Sequence, residues 1–213
     1  MKSNRLQQCF LKMIIMLFLM SPPFVFSQES THEKAVGFNY GEGHGFKSKD
    51  YTFTNRYVKG QLLYVLNKPK KGEVKYSVLI QPEVNFATHQ LLNPYFILPT
   101  ESNYQEKIKE FTRLKDIREY VLGVGFVIEK PLMKSLSVYV IVSSGPMITD
   151  TETERLSKGF AFSDVLSVGV KLHYEKVIWD IRPSVRHSSN LNFQSSNAGI
   201  NTMNIETGIA FLL

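Results

Sequence analysis

The chain has 213 residues, a hydrophobic content of 43%, a formal net charge of +6 and a single cysteine. One cysteine excludes an intramolecular disulfide framework, and Cys9 lies in the N-terminal segment that we expect to be removed. That segment carries three basic residues, so Lys+Arg falls from 25 to 22 against 19 acids and the charge falls to +3. With so small a charge and no recognition element, we expect no nucleic-acid partner.

The N-terminal segment has the pattern of a secretory signal peptide. Its first twelve residues carry basic side chains and no acidic one, and the apolar run Met13–Met20 follows. That run is shorter than the roughly 20 residues that a membrane-spanning helix needs. The sequence therefore predicts a signal peptide over residues 1–27 and one domain over residues 28–213.

Alternating hydrophobicity predicts eight strands of about 10 to 15 residues, the length that tilted strands need to cross a bilayer. In the third strand apolar side chains share one face from Tyr76 to Phe86, while Gln81, Glu83 and Asn85 share the other. The predicted strands are Lys34–His44, Asn55–Asn67, Val74–His89, Ile117–Glu129, Leu136–Thr149, Gly159–Tyr174, Val177–His187 and Asn201–Leu213.

The polar faces of these strands carry charges that suit the interior of a membrane barrel. These residues are Lys59, Glu83, Lys171, Asp180, Arg182 and Glu206. Periodicity alone does not separate inside from outside, and a soluble lipocalin-like barrel would turn the apolar faces inward. The connections alternate between short and long, as they do in outer-membrane barrels. The sequence thus predicts an all-β fold: an eight-stranded antiparallel transmembrane β-barrel of the outer membrane, with its interior filled by side chains.

The longest predicted outer loop, Gln90–Asp116, contains apolar residues at three-residue spacing. They are Ile108, Phe111, Leu114 and Ile117. This spacing predicts a short amphipathic helix at the rim, where it would shape access to a substrate.

Candidate catalytic residues lie at the end of the seventh predicted strand. One of its faces is apolar from Trp179 to Val185 and then presents His187 and Ser189, whereas the other face carries polar residues. Alternate residues of a strand share a face, so a base and a hydroxyl nucleophile are expected on the lipid-facing wall near one rim. Polar side chains are costly in such a row, although the headgroup level tolerates them.

The segment from His187 to Asn201 resembles the motif of the PagL-type outer-membrane lipid A deacylases, also described as acyloxyacyl hydrolases. The resemblance implies that His187 is the general base, Ser189 the nucleophile that attacks an acyl ester, and residue 201 the group that orients the histidine. The family has an acid at this third position, but this chain has Asn201. An amide can fix the tautomer of the histidine without stabilising its imidazolium, so the relay would be weaker.

Two further residues are candidates for the oxyanion site of such an enzyme. The side chain of Asn197 and the backbone at Gly199 can offer N–H donors, which acyl transfer needs for the developing negative charge. Asparagine and glycine are also common in ordinary loops for conformational reasons. We give both as expectations. Glu206 is a poor substitute for the missing acid because it lies on the opposite face of the last strand from Asn201.

The remaining motifs do not indicate a cofactor. Gly41-x-Gly43-x-Gly45 lacks the final spacing of a dinucleotide-binding loop, and the five histidines show no close metal-ligand spacing. We therefore expect a metal-independent serine esterase, with lipid A or lipopolysaccharide and outer-membrane lipid as its partners. The alternatives are a non-catalytic structural or adhesive barrel and a more general phospholipase or esterase. The sequence leaves open whether the barrel forms a homodimer.

Overall fold

A computed structural model describes residues 33–46, 48–67, 70, 72–194 and 196–213. Eight antiparallel strands close into a barrel in chain order, with β8 pairing back onto β1. The strands are β1 Lys34–Gly45, β2 Tyr51–Val65, β3 Lys75–Leu91, β4 Lys115–Pro131, β5 Leu136–Thr149, β6 Gly159–Tyr174, β7 Val177–Ser189 and β8 Ile200–Leu212. The predicted fold is confirmed. The predicted signal peptide, residues 1–27, lies outside the described residues and stays a prediction.

The outer surface of the barrel is apolar, as a membrane-spanning barrel requires. Each strand exposes large apolar side chains on its outward face, for example Phe38, Val58, Ile80, Leu122, Val142, Leu166, Val185 and Ile209. In the middle of these strands most polar side chains point inward and are buried, for example Lys59, Glu83 and Arg182. The lipocalin-like alternative is therefore wrong, because it would have turned the two faces the other way.

A network of buried charges fills the middle of the barrel. It consists of Lys59, Glu83, Asp180, Arg182, Arg186 and Glu206. Glu206 on β8 lies 3.1 Å from Lys59 of β2 and 2.9 Å from Arg182 of β7. Most of these ion pairs join adjacent or nearby strands, whereas the pair between Arg186 of β7 and Glu83 of β3 crosses the lumen. Since an ion taken out of water is costly unless it is paired, the network holds the inward rows of these strands in place.

The outer end of the lumen contains an apolar cluster, which we call the mouth cluster. It comprises Tyr51, Phe53, Ala87, Ile117, Val121, Met147, Leu156, Ala161 and Ile200. Tyr51 and Phe53 explain why β2 begins four residues before the predicted start at Asn55, because both side chains turn inward into this cluster. Leu156 enters it from the β5–β6 loop, which therefore packs onto the barrel.

The β3–β4 loop contains a single-turn 3₁₀ helix, Pro94–Phe96, and the helix α1, Tyr104–Phe111. The predicted helix is thus present, but it ends earlier than the apolar spacing suggested. Leu114 is exposed beyond its end, and Ile117 belongs to β4, where it joins the mouth cluster. Ile108 and Phe111 instead pack with Leu91, Ile97 and Tyr104 in a small core of the loop itself.

None of the helices in the described part of the chain is long and apolar enough to cross a membrane.

Replacement of Glu206 by glutamine should destabilise the barrel by about 3–5 kcal/mol, because Lys59 and Arg182 would lose a buried carboxylate partner. The measurement is urea unfolding in lipid vesicles, followed by the fluorescence of Trp179, the single tryptophan of the chain. The control Ile205→Val changes the neighbouring lipid-facing residue and should cost about 1 kcal/mol. Equal losses in the two variants would contradict the role of the network.

Candidate active site

His187 lies near the outer end of β7, with its side chain on the outside wall of the barrel. Its neighbours along the strand, Arg186 and Ser188, point inward and are 2% and 3% exposed. Arg186 is held there by its ion pair with Glu83 across the lumen. Because side chains alternate along a strand, this buried pair fixes His187 on the lipid-facing side.

Asn201 lies directly opposite His187 in the register between β7 and β8. Its Oδ1 is 2.7 Å from Nδ1 of His187. An amide oxygen can only accept a hydrogen bond, so Nδ1 of the neutral ring donates its proton to Asn201 and Nε2 keeps a free lone pair. This is the tautomer that can take a proton from a hydroxyl group. The separation of 14 residues between the two thus corresponds to a cross-strand pair.

Ser189 ends β7 and belongs to the same row as His187. It lies opposite Phe162 of β6 and is only 6% exposed, whereas the imidazole is exposed. Alternate residues on a strand are about 7 Å apart. Among the hydrogen bonds of the described residues, none joins the Ser189 hydroxyl to His187. Such bonds are often long in a free enzyme and tighten only when the substrate binds.

Asn197 and Gly199, the two expected oxyanion donors, already take part in bonds that hold the β7–β8 loop. The Asn197 side chain accepts a hydrogen bond from the backbone N–H of Asn190 at 2.8 Å and donates one to Asn192 at 3.0 Å. The N–H of Gly199 donates to the carbonyl oxygen of Arg155 at 3.1 Å. The oxyanion assignment stays a prediction, and the Gly199 N–H could serve only after leaving Arg155.

Gly199 also packs against the histidine itself. Its backbone has a φ of +68°, in the left-handed region that favours glycine. A Cβ atom at this position would lie 2.8 Å from Cε1 of His187 and 3.2 Å from the carbonyl oxygen of Ser188. The absence of a side chain at residue 199 therefore leaves room for the imidazole.

Arg155, in the β5–β6 loop, holds this segment in place, and the sequence analysis missed it. Its Nε donates to the carbonyl oxygen of Gly199 at 2.7 Å, and its Nη2 donates to that of Ala198 at 3.2 Å. The guanidinium also lies over the rings of Tyr51 and Phe96, 4.5 Å and 5.4 Å from their centroids. Nothing in the sequence spacing links residue 155 to residue 199, so only the fold reveals this contact.

The β5–β6 loop is in turn anchored inside the barrel. The carboxylate of Glu154 lies 2.8 Å from Nε2 of His89 on β3, and both side chains are almost completely buried. Since a buried charged group is costly without its partner, this pair resists movement of the loop. It thereby supports the position of the neighbouring Arg155.

Asp164 is the second residue near His187 that the sequence analysis missed. It lies on β6 directly opposite His187 in the register and points outward, between Phe162 and Leu166 of the same row. The hydroxyl of Ser144 on β5 donates a hydrogen bond of 2.6 Å to its Oδ1. A carboxylate in an otherwise apolar row was the signal that could have identified it.

Within the described part of the chain, no group of three or more His, Cys, Asp or Glu residues could hold a metal ion. A groove of about 800 Å³ is lined by strands β1 to β4 and β8, with outward-facing side chains such as Arg118 and Met203 and inward-facing ones such as Asn55 and Asn204. Neither His187 nor Ser189 lines it. The candidate catalytic residues thus lie outside this groove.

The fold and the outward-facing row define a transmembrane β-barrel of the outer-membrane type that carries a histidine, a serine and an asparagine on its wall. Comparison with protein families then identifies the chain more closely. The family described as lipid A 3-O-deacylase (PagL) matches residues 100–210, just over half of the 213 residues. The chain belongs to this family. The matched region includes β4 to β7 and the segment from His187 to Asn201.

Solved structures align with most of the chain. The crystal structure of the outer membrane enzyme PagL aligns with a TM-score of 0.55 at 12% identity, covering 81% of this chain and 97% of that chain. Neisserial surface protein A aligns with a TM-score of 0.47 at 8% identity, covering 84% and 96%. The attachment invasion locus protein Ail of Yersinia pestis gives 0.45 at 13% identity, covering 85% and 99%. No curated protein sequence matches the chain significantly.

The hydrogen bond to Asn201 predicts the tautomer of His187. In the neutral imidazole of His187 the proton should lie on Nδ1. The ¹⁵N chemical shifts of the refolded barrel, labelled at its histidines, would then show that Nε2 carries no proton. The signal is assigned with His187→Gln. Asn201→Ala should allow a mixture of both tautomers. A ring with its proton on Nε2 in the unaltered protein would contradict this geometry.

Proposed function

We propose that this protein is a serine ester hydrolase that removes the 3-O acyl chain from lipid A in the outer leaflet of the outer membrane. Membership of the lipid A 3-O-deacylase family supports the substrate. The hydrogen bond between His187 and Asn201 is the observation that carries the assignment, because it leaves Nε2 able to accept a proton. The proposal includes a cleaved signal peptide over residues 1–27 and requires no cofactor.

In the proposed mechanism Ser189 is the nucleophile. Its Oγ attacks the ester carbonyl carbon while its proton passes to Nε2 of His187, which becomes an imidazolium. The tetrahedral intermediate expels the sugar oxygen, which takes the proton from His187 and leaves as an alcohol. Water then attacks the acyl-serine with His187 again as the base, and the fatty acid and free Ser189 are released.

The outward position of the site suits a lipid substrate. The row below His187 faces the bilayer, and His187 itself lies close to the outer end of its strand. A lipid A molecule in the outer leaflet has its acyl esters at the interfacial depth, so it could reach Ser189 by lateral diffusion. The partners in this proposal are lipid A and the surrounding outer-membrane lipid, and association into a homodimer stays an open expectation.

Asn201 favours one competing function, a structural or adhesive barrel that has lost its catalysis. A neutral amide cannot replace the charge of the missing acid, and this loss could disable the relay. The two functions predict different results when the unaltered protein is incubated with lipid A. The hydrolase predicts products from the chain as it stands, with Asn201 in place, whereas the scaffold predicts none.

Two adjacent serines provide the sharpest test of the proposal. Purified, refolded protein should remove one hydroxyacyl chain from lipid A, as measured by mass spectrometry. Ser189→Ala should reduce the rate by at least about 10³-fold, because the nucleophile is lost. Ser188→Ala is the matched control, since Ser188 is the neighbouring residue but faces the lumen, and it should leave the rate nearly unchanged.

Two outcomes would contradict the hydrolase. Unchanged lipid A in the presence of correctly folded protein would favour the structural barrel. Equal rates for Ser189→Ala and the unaltered protein would assign the nucleophile elsewhere.

The packing of Gly199 on the imidazole gives a second prediction. Gly199→Ala should lower kcat about 10²-fold, because its Cβ would displace His187 from the position needed for proton transfer. Gly72→Ala is the matched control: Gly72 also has a positive φ, +81°, but a Cβ there would meet no atom within 4 Å. Both variants carry backbone strain, and only Gly199→Ala should lose activity. Equal losses would show that strain, not contact with His187, is responsible.

A further inference from the structure

We propose that Asp164 supplies the negative charge that Asn201 cannot supply, and that it acts through His187 as a positioning residue. This inference rests on the proposed hydrolase function. It divides between two side chains the work that one acid usually performs. Asn201 would fix the tautomer from β8, and Asp164 would stabilise the imidazolium from β6.

The register of the sheet places the two side chains beside each other. Asp164 pairs with His187 between β6 and β7, just as Asn201 pairs with His187 between β7 and β8. Directly opposite residues of antiparallel strands have Cβ atoms about 4.5–5.5 Å apart, and all three point to the outer face. His187 is therefore flanked by a carboxylate on one side and an amide on the other.

The environment of Asp164 indicates a specific role for its charge. Phe162 and Leu166 flank it in the outward row, where a carboxylate is costly unless something uses it. Ser144 donates a hydrogen bond to Oδ1, which orients the group. Among the described residues no hydrogen bond reaches Oδ2, so this oxygen keeps its full capacity to interact with a neighbouring positive charge.

The chemistry of the relay requires such a charge. When His187 takes the proton of Ser189 it becomes positive, and a neutral amide offers that cation little stabilisation. A carboxylate at close range does so strongly where the lipid face lowers the local dielectric constant. Of the other charged groups around His187, Arg155 binds the backbone of Gly199 and would oppose the cation, while Arg186 and Glu206 face the lumen.

A double-mutant cycle tests the inference. Asp164→Asn should lower kcat for lipid A deacylation about ten- to a hundredfold with little change in KM, because a neutral amide no longer stabilises the positive charge that His187 gains during the reaction. Adding Asn201→Glu to this variant should restore kcat to within about threefold of the unaltered protein, because the new carboxylate would face the same imidazole from β8. A purely structural role of Asp164 could not be restored from another strand.

The pH profile gives an independent readout. Loss of the negative charge beside the imidazole changes the electrostatics of proton transfer, so the pH dependence of kcat/KM should change in Asp164→Asn. The original pH dependence should return in the double variant. Asp116→Asn is the matched control, since it removes an outward-facing carboxylate from β4, which does not pair with β7, and it should leave kcat nearly unchanged. Circular dichroism confirms folding of each variant.

The outcomes separate this inference from the proposed function. An active protein in which Asp164→Asn changes neither kcat nor the pH profile would overturn the role of Asp164 alone. So would a loss that Asn201→Glu fails to restore in a folded barrel. Activity that appears only after Asn201→Glu would show that Asp164 does not supply the charge. No activity in either the unaltered protein or Asn201→Glu would overturn the hydrolase itself.

Discussion

The position of His187 depends on the buried ion pairs inside the barrel. Glu206 binds Lys59 and Arg182, and Glu83 binds Arg186, so the inward row of β7 is committed to the lumen. A slip of one residue would bring two arginines to the lipid and His187 to the interior, which the cost of unpaired buried charge forbids. The face of the wall on which the candidate chemistry occurs is thus set by charges that take no part in it.

The site itself is assembled from parts that are distant in the sequence. Three neighbouring strands contribute Asp164, His187 and Asn201, which lie in one cross-strand row. Arg155 reaches from the β5–β6 loop to the carbonyl oxygens beside Gly199, whose bare Cα leaves room for the imidazole. The barrel therefore serves as a rigid frame that fixes a short polar row at the edge of an apolar surface, where a lipid ester would lie.

Much of the fold, and the outward position of His187, could be predicted from the sequence because side chains alternate between the two faces of a strand. Alternation gave the bounds of β5 and β6 as the structure has them, and it placed His187 on the outer wall. What alternation cannot provide is the register between strands, so the pairing of His187 with Asp164 was missed although both residues face outward. The contact of Arg155 with Gly199 joins two loops and leaves no periodic signal. The early start of β2 depends on inward packing of Tyr51 and Phe53 in the mouth cluster, a tertiary effect that local pattern does not show.

The most direct test of the account is covalent trapping of the nucleophile. A long-chain alkyl fluorophosphonate, which reacts with activated serines, would be incubated with the refolded barrel in lipid vesicles, and the adduct would be located by peptide mass spectrometry. We expect one adduct, on Ser189 and not on Ser188, and we expect it to disappear in His187→Asn because the hydroxyl is no longer activated. The absence of any adduct, or an adduct on Ser189 that persists without His187, would contradict it.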